Sequence, residues 1–64
     1  MAYATADAPT GLDLRLARTV AGLTQTEVAR RLGWPRQRVT WVESLIRPSR
    51  RAVEAYLSAL SADR

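Results

Sequence analysis

Arg30, Arg31, Arg36, Arg38, Arg47, Arg50 and Arg51 fall in one stretch where Glu43 is the only acid. Seven cations against one acid make that stretch net +6, within a chain of formal charge +4, so the remainder is net negative. A guanidinium is always charged and presents planar, forked donors that match phosphate oxygens and the acceptor edges of bases. Gln37, Thr40 and Ser44 lie among these arginines and add neutral donors and acceptors. The chemistry on offer is recognition of an anionic surface, although a merely solvated face would carry the same charges. Catalysis has little to work with. Histidine and cysteine are absent, which removes the usual general base, thiol chemistry and zinc ligation. No pair of carboxylates sits with a plausible nucleophile, and no glycine-rich phosphate loop occurs. An enzyme is therefore not expected, nor a metal, a cofactor or a small-molecule ligand.

These residues need a scaffold, and 64 residues supply one domain with a small core. The pattern predicts an all-α, compact bundle of about four helices. Residues 1–9 read as a flexible tail and residues 10–64 as the folded domain. Thr10 caps a first helix, with Asp13 near its positive end. Leu14, Ala17 and Ala21 recur at helical spacing, Leu12, Leu16 and Val20 form a second stripe, and Gly22 stops the helix. Thr24 and Glu27 have the spacing of a capping box for a second helix over about 25–32, with Val28, Ala29 and Leu32 on one face and Gly33 at its end. Pro35 suits the start of a third helix over about 36–44, where Val39 and Val42 point inward. Ser49 caps a fourth helix reaching about Ala62, with Val53, Tyr56, Leu57 and Leu60 as its stripe. No apolar run approaches the roughly 20 residues needed to span a bilayer. The N-terminus lacks a signal-peptide pattern, so a cytoplasmic location, in a prokaryotic or phage-infected cell, is the expectation.

Two short helices joined by a tight glycine turn have the geometry of a helix-turn-helix, here over residues 25–44. Ala29 leaves room for the following helix, and Gly33 supplies the positive φ of the turn. Arg18, Gly22-Leu23-Thr24-Gln25-Thr26-Glu27-Val28-Ala29, Leu32-Gly33, Val39, Val42-Glu43, Pro48-Ser49 and Leu60 together resemble the repressor and Cro-type helix-turn-helix proteins, the XRE family. The resemblance covers about residues 12–60 and implies the lambda-repressor-like DNA-binding fold. Three departures stand out. Pro35 occupies the place of a Ser or Thr cap, Leu45 the place of a loop glycine, and the chain has four helices where many members have five.

The resemblance implies that the third helix enters the major groove of double-stranded DNA. Placed at 100° per residue, its outer side carries Gln37, Thr40, Trp41 and Ser44, flanked by Arg36 and Arg38. Gln37 suits adenine N6 and N7; Arg36 or Arg38 suits guanine O6 and N7. Trp41 either packs on a thymine methyl or sugar, folds back over its neighbours, or enters a protein interface. Base reading is thus assigned to Arg36, Gln37, Arg38, Thr40 and Trp41. Gln25, at a helix start that favours anions, joins Arg30, Arg31, Ser44, Arg47, Arg50 and Arg51 as candidate phosphate partners. Trp34 reads as a lid on the core. The family pattern pairs Arg18 with Glu43 as a structural contact that orients the third helix. Leu45 and Ile46, two large apolar residues in a short loop, either cap the core or meet a partner, and are the expected homodimer contact. The rival dimer faces are Leu12, Leu16 and Val20 of the first helix, or Tyr56 and Leu60 of the fourth.

The function this implies is a sequence-specific transcriptional regulator, a repressor on a palindromic operator in the manner of a phage Cro-like or immunity repressor. An antitoxin or excision-type accessory factor is the alternative within DNA binding. A protein-interaction module using the same fold without DNA is the alternative outside it.

Overall fold

The computed structural model describes residues 8–61 and contains four helices, α1 (Gly11–Ala21), α2 (Gln25–Leu32), α3 (Arg36–Ser44) and α4 (Arg50–Leu60), with no strand among the described residues. The expected tail lies outside the described residues except for Ala8 and Pro9, as does the predicted end of α4 at Ala62.

Local chemistry fixes most boundaries. Thr10 Oγ1 accepts the backbone N–H of Asp13 at 3.1 Å, and the Asp13 carboxylate accepts the N–H of Thr10 at 2.9 Å. Thr24 and Glu27 form the same reciprocal box on α2, at 3.0 and 2.7 Å. Each box satisfies donors a helix start leaves open. Gly22 and Gly33 end α1 and α2 at φ 78° and 74°, a region that other L-residues rarely enter. α3 begins at Arg36, as expected. Pro35 is its N-cap, one residue ahead of the helix, and offers no side-chain hydrogen bond. α3 ends at Leu45 in an extended conformation (φ −85°, ψ 142°), so this loop does not need the glycine that the family usually carries.

The core takes one or two side chains from each turn that faces inward: Leu14 from α1, Val28 and Ala29 from α2, Val39 and Val42 from α3, and Val53, Tyr56 and Ala59 from α4. Leu23, Leu32, Trp34 and Leu60 close its edges. The second stripe of α1 does not take part. Leu12 and Leu16 are about half exposed and Val20 is 88% exposed, while Ala21 also faces outward. In α4, Leu57 is exposed and the small Ala59 is buried in its stead, on the same side as Val53 and Tyr56 at three-residue spacing.

Gly11 shows how closely α1 approaches α3. A Cβ at this position would lie 2.5 Å from the backbone oxygens of Val42 and Glu43. The N–H of Gly11 donates to the carbonyl of Leu45 at 2.7 Å, tying the start of α1 to the end of α3. Among the described residues no helix is long and apolar enough to cross a membrane.

Candidate nucleic-acid interface

α3 presents two chemically distinct sides. Val39, Val42 and Glu43 are buried, whereas Arg36, Gln37, Arg38, Thr40, Trp41 and Ser44 are exposed. The structure therefore brings all five candidate base-reading residues onto one helix, on the side away from the core. Trp41 is 58% exposed and does not fold back into the core. Trp34 is half-buried against the core, as its reading as a lid anticipates, and the Arg38 guanidinium lies 4.5 Å from its ring centroid. That cation–π contact gives Arg38 a resting place at the mouth of the turn.

Glu43 anchors this helix. Arg18 Nε donates to its Oε2 at 2.7 Å and Arg18 Nη2 to its Oε1 at 3.2 Å, while Arg18 Nη1 holds the carbonyl of Leu23 at 2.9 Å. The expected Arg18–Glu43 pair is thus present as a bidentate contact between α1 and α3, with both side chains largely shielded from solvent. Gln25 Nε2 adds a donor from α2 at 3.0 Å, and the Tyr56 hydroxyl adds one from α4. One carboxylate thereby collects donors from the three other helices. No buried side-chain polar atom among the described residues lacks a partner.

Electrostatics follow from this geometry. Burial pushes the Glu43 carboxyl up, but the hydrogen bonds from Arg18, Tyr56 and Gln25 outweigh it and hold the group below the usual carboxylate range. The Arg18 guanidinium is raised further by the hydrogen bond to Glu43. Burial, then the charged Glu43 beside it, pushes the Tyr56 phenol far above its ordinary value. Glu27 is lowered by the backbone N–H of Thr24 and the Thr24 hydroxyl.

Tyr56 was read from sequence only as part of the α4 stripe, not as a partner of Glu43. Its position on the inward stripe of α4 was the available signal, since a buried tyrosine needs a partner for its hydroxyl. Gly11 was missed too, because nothing in a linear pattern marks a glycine in a first turn as a close approach.

The candidate phosphate partners are spread around this helix. Gln25 is half-buried and already engaged: its Oε1 accepts from Thr40 Oγ1 at 3.0 Å and from Arg36 Nη1 at 3.3 Å. The start of α2 already faces the Glu27 carboxylate, so any anion there meets that charge. Arg31 donates to the carbonyl of Ala59 at 2.9 Å and secures the last turn of α4. Arg50 pairs with Glu54 at 3.2 Å, a contact so exposed that it adds little stability. Ser44 Oγ donates to the carbonyl of Trp41 at 2.6 Å. Arg30, Arg47 and Arg51 are exposed. Of the two expected dimer residues, Leu45 is half-buried and Ile46 is 78% exposed.

No curated protein and no solved structure matches the chain. A family model described as a helix-turn-helix domain does match, over residues 11–64, which include all four helices. The capped α2, the Gly33 turn and the exposed polar side of α3 are the features such a domain needs. The chain belongs to this helix-turn-helix family of XRE-like DNA-binding domains.

Proposed function

We propose that the chain is a sequence-specific transcriptional regulator that represses by occupying a palindromic operator as a dimer, with α3 in the major groove. The exposed side of α3 carries this reading. Arg36, Gln37, Arg38, Thr40 and Trp41 face outward on a helix fixed from behind by buried Val39, Val42 and Glu43. Such a rigid row of donors, acceptors and one aromatic is what reading base edges requires. Arg30, Arg47, Arg50 and Arg51, with Gln25, Arg31 and Ser44, supply the sequence-independent hold on phosphate. A single recognition helix reads only a half-site, so two copies are needed for a palindrome. Ile46, exposed directly after the recognition helix, is the apolar contact this reading assigns to the pair, with Leu45 behind it. A Cro-like or immunity repressor in a prokaryotic cytoplasm is the setting proposed.

Selection from random duplexes, followed by titration over a range of salt, tests the reading. The selected sites should be two-fold symmetric, with half-sites about one helical turn apart. With about 4–6 phosphates neutralised per subunit, affinity should fall with salt at roughly −0.9 per phosphate on a log–log plot. A flat salt dependence, or no enrichment of any sequence, contradicts it.

A further inference from the structure

The two arginines of α3 are held in different ways. Arg36 donates to Gln25 Oε1 at 3.3 Å, whereas the Arg38 guanidinium carbon lies over the Trp34 ring, 4.5 Å from its centroid. Among the described residues, no side-chain hydrogen bond or ion pair from Arg38 accompanies that contact. The difference matters chemically. A hydrogen bond uses up part of a guanidinium fork, whereas a ring takes the cation by its face and leaves the in-plane N–H groups free. Trp34 is a fixed platform for this. It is half-buried against the core, and its backbone N–H donates to the carbonyl of Ala29 at 3.0 Å. Helix side chains lean back toward the N-terminus, so the platform keeps the Arg38 head near the start of α3. That is the end of a recognition helix that reaches base edges.

We propose that Trp34 is a positioning residue that presents the Arg38 fork to guanine O6 and N7, and so sets how strongly the chain prefers guanine at one base pair. The proposal rests on the reading of the outer side of α3 as base-reading. Trp34 acts through Arg38, not by contact with a base. A long side chain held in place before binding has less freedom to lose when it binds. On a duplex with the wrong base the ring contact persists and nothing is gained; on guanine the fork is already in place. The advantage cannot exceed the ring contact itself, which at an exposed site corresponds to roughly a 2- to 5-fold change in affinity. An aliphatic side chain at position 34 could also cover the core, but it would offer Arg38 no π face.

The test compares affinities for duplexes carrying each base at every position of a selected site, using wild type, Trp34→Leu, Arg38→Ala and the double variant. Ratios between duplexes cancel any loss of folded protein. Trp34→Leu should lower the guanine preference roughly 2- to 5-fold at the base pair where Arg38→Ala abolishes it. In the Arg38→Ala background, Trp34→Leu should change no base preference further. A fluorinated tryptophan placed at position 34 alone nearly keeps the shape of the side chain but weakens the negative face of its ring. It should lower the same preference, which a purely packing role for Trp34 would leave untouched.

An unchanged guanine preference in Trp34→Leu beside its loss in Arg38→Ala overturns the proposal, whatever loss is common to all duplexes. So does a raised preference, which would mean that the ring holds Arg38 away from the groove. A fluorinated protein indistinguishable from wild type, or an equal effect of Trp34→Leu without Arg38, would reduce Trp34 to packing and overturns it too. If Arg38→Ala alters no base preference at all, base reading by Arg38 falls first, and the positioning role with it.

Discussion

Replacing Tyr56 with phenylalanine isolates one hydroxyl at the centre of the bundle. Tyr56 is fully buried and its hydroxyl donates to Glu43. The ring stays in Tyr56→Phe, so packing is nearly conserved and the change is the loss of one hydrogen bond to a charged group. Such bonds contribute about 1.5–3 kcal/mol. Arg18 and Gln25 still satisfy the carboxylate, so the lower end of that range is expected at pH 7. A chain of this length has roughly 3–10 kcal/mol of stability in all, which makes the loss measurable.

The pH dependence is more diagnostic. The sequence has no lysine, histidine or cysteine, so above the N-terminal amine only Tyr3 and Tyr56 titrate before the arginines. The folded phenol of Tyr56 is raised well above its ordinary value of about 10. Its contribution is complete below pH 10 and is lost as pH rises, because the unfolded chain deprotonates first. At pH 11 the unfolded phenol is about 90% ionised, which costs the folded state about 1.4 kcal/mol. For a domain this small that is a fall of roughly 6–11 °C in Tm. Urea unfolding of wild type and Tyr56→Phe at pH 7, 9, 10 and 11 measures it. The variant should lack most of the alkaline loss. An equal loss in both proteins, or a variant as stable as wild type at pH 7, would refute the assignment of this hydrogen bond.

Glu43→Gln should cost about 3–5 kcal/mol at neutral pH, because Arg18 is left charged and largely shielded. Since the Glu43 carboxyl is held below its usual range, that advantage is present above about pH 4.3 and fades as pH falls further. Urea unfolding between pH 5 and 3 should therefore show the gap between the two proteins narrowing. Gly11→Ala sets two effects against each other: alanine favours a helix by about 1 kcal/mol, but its Cβ meets backbone oxygens at 2.5 Å that cannot swing aside. Net destabilisation of about 1–3 kcal/mol is expected in the same assay. On DNA, Gln37→Ala should cost about 1–3 kcal/mol at one base pair, while Arg50→Ala should weaken all duplexes alike. Indistinguishable variants would end the division into reading and holding residues.

The helices were legible because their ends are written in short-range chemistry. Thr10 with Asp13, Thr24 with Glu27, Ser49, Gly22 and Gly33 act within four residues of themselves, and their observed geometry follows. The bundle was legible from helical spacing, and the Arg18–Glu43 pair from the family pattern. What escaped depends on neighbours far along the chain. Leu12, Leu16 and Val20 have helical spacing yet stay outside, because the bundle admits only the Leu14 side of α1. The donor from Tyr56 to Glu43, and the tie from Arg31 to Ala59, join helices whose approach no local pattern specifies. The engagement of Gln25 with both Glu43 and α3 was hidden for the same reason.

The capping pattern also explains how α3 is held. α1 and α2 each place a carboxylate in the first turn, where it favours the positive helix end. α3 has no acid in its first turn, no side-chain cap, and arginines at positions 36 and 38. Cations there oppose the helix dipole by a few tenths of a kcal/mol to about 1 kcal/mol each. A carboxylate cap would relieve that cost, but it would also set a negative charge where the proposed ligand brings phosphates. α3 is therefore poorly supported by its own sequence and depends on tertiary contacts. Val39 and Val42 in the core, and Glu43 held from α1, α2 and α4, supply what its ends do not. This division of labour accounts for a buried, fully satisfied carboxylate in so small a core: it lets the exposed side of the helix stay cationic without the helix coming loose.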